Sequence, residues 1–113
     1  MAMPQDLVTF LEHGDVCLLF SIDETLVKLV GDVDLSLTES LDFVLEEATA
    51  RTQPVRVDLS LVTFMDSTGL NLIAQLAATE LQAGRRLSVR GATHRVRELL
   101  QVAGLMEALE LTV

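Results

Sequence analysis

Tryptophan and tyrosine are absent from the 113 residues, so four phenylalanines and a large aliphatic set must build the core. A single cysteine, Cys17, excludes an internal disulfide. There is no CxxC pair, and two histidines, His13 and His94, are too few for a structural zinc site. Lysine occurs once, at Lys28, so chemistry that needs a lysine late in the chain has none. No long apolar run survives inspection. The stretch Leu59–Thr79 is broken by Asp66 and carries Ser, Thr, Asn and Gly, so it is no membrane span. The opening Met1–Asp6 lacks a basic n-region, so no signal peptide is expected and the reading is cytoplasmic.

Positive charge is also scarce. Seventeen acids face eight bases, a net charge of −9. Residues 1–50 hold eleven of the acids and one base; residues 51–113 hold six acids and seven arginines. A nucleic-acid partner would demand the opposite balance, because affinity for phosphates comes from cations. The five arginines from Arg85 to Arg97 read as solvated faces pairing with the acidic half. The charge favours a basic protein partner and salt-sensitive association. Half of the residues are hydrophobic and 22% are charged, which is globular rather than disordered. The length suits one domain over residues 1–113.

The pattern from Val55 onward alternates strand and helix, which predicts an α/β layer with parallel pairing. Asp15–Ile22 reads as a strand or strand pair, and Thr25–Val30 as the next strand, closed by Gly31. Leu37, Leu41, Val44, Leu45 and Ala48 share a helical face, with Ser36 or Thr38 as its cap. Val55, Val57 and Leu59 alternate as a strand, and Leu61–Met65 carries the chain on, with Phe64 and Met65 expected in the core. A helix after Asp66–Gly69 is expected to turn Leu70, Ile73, Ala74, Ala77 and Leu81 inward and to end at Gly84. Arg86–Arg90 reads as a strand. Thr93 caps a last helix with Val96, Leu99, Leu100 and Ala103 inward, stopped by Gly104, and Leu109–Val113 adds a final short element. Cys17, between Val16 and Leu18, reads as a buried inert thiol, and His13 as a loop residue.

In open α/β sheets the working surface lies beyond the carboxyl ends of strands. Asp32–Ser36 and Asp66–Gly69 fall there. Asp66, Ser67 and Thr68 are three capping candidates where a helix needs one. Ser67 is therefore free for another use, such as accepting a phosphoryl group, with Gly69 keeping the turn open. A phosphate adds ~1.5 to 2 negative charges, which a helix N-terminus tolerates and a docked surface does not. Asp32-Val33-Asp34 reads equally well as a plain polar turn or as an acidic rim for a basic partner.

Enzyme readings fall short. Asp32-Val-Asp-Leu-Ser36 resembles the DxDx[ST] motif of Mg²⁺-dependent phosphatases, with Asp32 and Asp34 in the working positions, but that chemistry needs a downstream Lys or Arg and a late acidic pair in a larger domain. No Lys follows Lys28, and the late acids Glu107 and Glu110 lack a matching strand-end context. A receiver domain could use Asp66 or Asp58 but needs a late lysine. A Ser67–His94 hydrolase lacks a GxSxG elbow.

Val57-Asp-Leu-Ser60 followed by Val62-Thr-Phe-Met-Asp-Ser-Thr-Gly-Leu70 resembles the signature of STAS domains, specifically anti-sigma factor antagonists. Gly31-Asp-Val-Asp34 is similar to their Gly-x-x-Asp turn. Gly84–Val89 and Val96–Leu105 look like their last strand and helix, so the resemblance covers residues 15–113. It implies a single STAS-type domain: a mixed, mostly parallel sheet of four to five strands with about four helices. It implies no catalysis and no cofactor, since ATP belongs to the partner. That partner is an anti-sigma factor of the serine protein kinase type, which phosphorylates Ser67; a separate serine phosphatase reverses this. Unphosphorylated antagonist binds the anti-sigma factor and frees a sigma factor. The implied docking surface comprises Asp32, Asp34, Asp66, Thr68, Gly69 and Leu70. Thr68 stands where many members carry a second serine. Other STAS domains serve as cytoplasmic subunits of lipid ABC transporters, which is the alternative; a homodimer is compatible with either.

Overall fold

The structure is a computed structural model and describes residues 9–13, by backbone alone, and 16–113. One sheet holds six strands in sequence order: β1 (Thr9–His13), β2 (Val16–Phe20), β3 (Thr25–Val33), β4 (Val55–Met65), β5 (Leu87–Arg90) and β6 (Leu109–Thr112). The first three are antiparallel neighbours, and β3 through β6 run parallel. Three helices make the parallel crossovers: α1 (Thr38–Thr49), α2 (Ser67–Gln82) and α3 (His94–Val102). Short 3₁₀ turns precede α1 and β6. Each parallel strand is added on the same side of the last, so right-handed crossovers put every helix on one face. The core is the layer between them. It joins Val16, Leu18 and Phe20 of β2 to Val27, Leu29 and Val33 of β3, and these to Leu41, Ile73, Leu76 and Leu100 of the helices.

The mixed, mostly parallel α/β architecture is as expected. Its sixth strand is β1, which precedes the region of the resemblance and places His13 at a strand end rather than in a loop. Asp15 lies outside the described residues. Among those described, no helix is long and apolar enough to cross a membrane.

Several local expectations change. Strand β3 does not stop at Gly31; it runs to Val33, taking Gly31 at φ 75 through a register shift. The cap before α1 is Asp34, which closes the 3₁₀ turn, and neither Ser36 nor Thr38 caps the helix. In α2 the buried stripe is Gly69, Leu72, Ile73, Leu76, Ala77 and Glu80, while Leu81 is exposed and Leu70 and Ala74 are half-buried. The stripe follows helical spacing but includes a carboxylate, which is why apolar counting rotates the helix away from its true face. Ala103 of the last helix is likewise exposed. Neighbouring strand residues face opposite sides, so Met65 is buried and Phe64 is not, while two register shifts between β3 and β4 turn Leu61 outward and Val62 inward. Cys17 is half-buried, because Val16, Leu18 and Phe20 take the helix-facing side of β2. Thr93 caps α3 through its hydroxyl, which accepts from Val96 N at 3.3 Å. Gly84 and Gly104 close α2 and α3 at positive φ.

Among the described residues, the arginines from Arg85 to Arg97 form no ion pair with the first fifty residues. Arg85 binds Glu80 within its own half, and Arg56, outside that cluster, reaches Glu24 at 3.3 Å. Glu80 is 2% exposed. Its Oε2 accepts from Arg85 Nε at 3.0 Å and from Val55 N at 3.3 Å, tying the end of α2 to the start of β4.

Candidate functional site

Parallel pairing of β3 and β4 sets the site. Val33 pairs with Met65, and Asp66 N donates to Val33 O at 3.1 Å. The chain thus leaves the sheet twice, side by side, into the Asp34 turn and into α2. At the second exit Asp66 is extended, and its Oδ1 accepts from Thr68 N at 2.8 Å. That single bond is the N-cap. Ser67 is the first residue of α2 and is exposed. Among the described residues its hydroxyl has no hydrogen-bond partner, so the redundancy in Asp66-Ser67-Thr68 resolves with Asp66 as cap and Ser67 free.

Gly69 has another task than the one expected. Its φ is not positive, so the turn does not need its flexibility. It is needed for closeness: a Cβ there would lie 2.7 Å from Met65 Cγ and 2.9 Å from Val33 Cγ1. The first turn of α2 therefore sits directly on the strand ends, and this height fixes where Ser67 emerges.

Asp34 is held locally. Its Oδ1 accepts from Ser36 Oγ at 2.6 Å and Ser36 N at 2.9 Å, and these bonds keep its carboxyl below the usual carboxylate range. Asp32 lies opposite Phe64, and its Oδ1 accepts from Thr63 Oγ1 at 2.8 Å. It takes no part in the groove beside Ser67. The two aspartates thus have separate local partners, and among the described residues no three His, Cys, Asp or Glu side chains could hold a metal ion together. His94 is exposed and paired with Glu98 at 2.8 Å.

Beside Ser67 an open groove of about 590 Å³ runs between the Asp34 turn, α2 and the end of α3. Leu35, Leu70, Ala103 and Leu105 supply apolar walls, with Thr38 and Ser67 at the polar side. Leu35 is 75% exposed. Sequence reasoning missed Leu35, Ala103 and Leu105. A leucine between Asp34 and Ser36 in an otherwise polar turn was the one available signal. The groove offers a partner an apolar anchor point beside a hydroxyl.

Comparison with known proteins agrees with this geometry. A family model described as "Mlab, STAS domain" matches residues 20–112. An anti-sigma-B factor antagonist of Staphylococcus epidermidis is 32% identical over 82 residues, covering 72% of this chain and 76% of the relative. Among solved structures, the anti-sigma factor antagonist SpoIIAA in its unphosphorylated form shares the fold at TM-score 0.68 and 16% identity, over 95% of this chain and 89% of that one. An anti-sigma factor antagonist from Mycobacterium paratuberculosis does so at TM-score 0.62 and 24% identity, over 98% and 89%. The chain belongs to the STAS family, among the anti-sigma factor antagonists, which are regulatory domains rather than enzymes.

Proposed function

We propose that this protein binds an anti-sigma factor of the serine kinase type through the Asp34 turn and the start of α2, and that phosphorylation of Ser67 ends the contact. The observation that carries the reading is the exposed, unengaged Ser67 hydroxyl beside a cap already satisfied by Asp66. A kinase partner would bring ATP. The Ser67 oxygen would attack the γ-phosphorus, the bond to the ADP oxygen would break, and the hydroxyl proton would pass to a base of the kinase. Asp34, Asp66, Thr68, Gly69 and Leu70 would form the contact, Gly69 by admitting α2 close to the sheet, Leu70 through the groove wall. Asp32 would act at its edge, on the Thr63 side.

The switch needs no change of fold. A helix N-terminus accommodates the new anion. A partner carboxylate docked closely over a neutral hydroxyl would meet ~1.5 to 2 negative charges there instead. Like-charge juxtaposition costs several kcal/mol, and each ~1.4 kcal/mol is tenfold in affinity, so a micromolar complex dissociates. A separate serine phosphatase would restore the hydroxyl.

The test is incubation with the cognate kinase and ATP, read by mass spectrometry and by binding. One phosphate on Ser67 is expected. Ser67→Ala should stay bound in the presence of ATP, and Ser67→Glu should bind at least ~100-fold more weakly. Uptake of phosphate by Ser67→Ala at the wild-type rate would overturn the assignment.

A further inference from the structure

We propose that the sheet face away from the helices is a contact surface for a second copy of this chain. With all three crossovers on one side, the other face has no cover among the described elements. Alternation along β2 and β3 directs Leu19, Leu26 and Val30 to it, and Leu61 and Phe64 of β4 join them as register neighbours of Val30 and Asp32. None of the five belongs to the core or packs against it. Leu19 pairs with Leu26, and Val30 with Leu61, so the side chains form a continuous apolar patch across three strands. Leu61 and Phe64 are 52% and 50% exposed.

The charges on the same face identify the occupant. Lys28, Asp58 and Arg90 are successive register partners on β3, β4 and β5, and Arg56 binds Glu24. Cations here already have acids beside them, in a chain whose net charge is −9. A basic partner gains little from a face whose charges are matched internally. A second acidic copy, repelled elsewhere, meets no net repulsion here. The arrangement also has the anatomy of an isologous contact. A two-fold axis through β2 and β3 would set apolar patch on apolar patch, with the charged ladder of β3 to β5 toward the rim.

The size suffices. Strands of four to eleven residues, six abreast, cover roughly 600 Å² at ~3.3 Å per residue and ~4.8 Å between strands. Counted on both copies that is ~1,200 Å², the low end of specific interfaces. Two sheets would stack face to face, as in β-sandwiches. Ser67 and its groove, on the helix side, would stay accessible in both copies.

Sedimentation velocity from micromolar to millimolar protein reads the outcome. A concentration-dependent species of twice 12.4 kDa is expected. Leu61→Glu should weaken the dimer about 100-fold by burying an unpaired charge. Leu61→Ala, which does not threaten the fold, should weaken it about tenfold. Leu81→Glu, on the helix side, should leave it unchanged. Cys17, on the proposed contact face, should react with a thiol reagent more slowly in the dimer. A monomer at every concentration, a dimer indifferent to both Leu61 variants, a dimer broken by Leu81→Glu, or equal Cys17 reactivity in monomer and dimer would each overturn the proposal.

Discussion

Replacing Gly69 by alanine sets two effects of known sign against each other. Alanine is the better helix former by ~0.8 to 1 kcal/mol, and the backbone here is not left-handed, so propensity alone predicts a more stable protein. The added methyl group would sit 2.7 Å from Met65 Cγ, 2.9 Å from Val33 Cγ1 and 3.1 Å from Met65 Cε. Val33 and Met65 are both buried, so neither can simply swing into solvent. Overpacking of this kind costs ~1 to 3 kcal/mol. The net expectation is a loss of about 1 kcal/mol, near 4 °C in Tm for a chain this size. The functional effect should be larger than that figure suggests, because relief comes from lifting the first turn of α2, which carries Ser67. Thermal unfolding and the rate of Ser67 phosphorylation are the measurements. Met65→Ala removes two of the three clashing atoms, so in the double variant the Gly69→Ala cost should shrink by about 1 kcal/mol relative to additivity. If Gly69→Ala proves more stable than wild type, or if the two substitutions add, the tight approach of α2 to the strand ends is not what selects glycine here.

Glu80→Gln should destabilise by roughly 1 to 3 kcal/mol in urea unfolding, because one carboxylate oxygen that accepts from Arg85 becomes a donor facing it, while water reaches the partly solvated Arg85 and softens the loss. An unchanged midpoint would show that the pair is replaceable. Stability should also fall in acid. Burial pushes the Asp58 carboxyl up, but bonds from Ser60 together with Lys28 and Arg90 hold it below its ordinary value, and Ser36 lowers Asp34. Carboxylates depressed in the folded state stabilise it above the unfolded value of ~3.9, and that contribution disappears as pH drops through the folded value. Asp58→Asn should therefore flatten the acid limb of stability against pH; an identical limb in the variant would assign acid unfolding to other groups.

Much of the molecule follows from signals only a few residues long. Thr93 caps α3, Gly84 and Gly104 end α2 and α3, and the Asp66–Leu70 segment turns from strand to helix, because each depends on hydrogen bonds within about one turn of backbone. The strand–helix alternation after Val55 is equally local, and with the handedness of crossovers it leads to the parallel half of the sheet. What remained hidden depends on residues distant in sequence. Which stripe of α2 is buried was settled by Val33 beneath Gly69 and by Val55 beside Glu80. Leu61 points outward and Val62 inward because β4 shifts register against β3, a property of the pair that neither strand carries alone. The groove beside Ser67 exists because Ala103 and Leu105, more than thirty residues downstream, fold back against α2. Short-range hydrogen bonding and periodicity can be read along a chain; the choice of face, the register of neighbours and the walls of a groove are set by what packs against them, and packing is decided only when the whole sheet has formed.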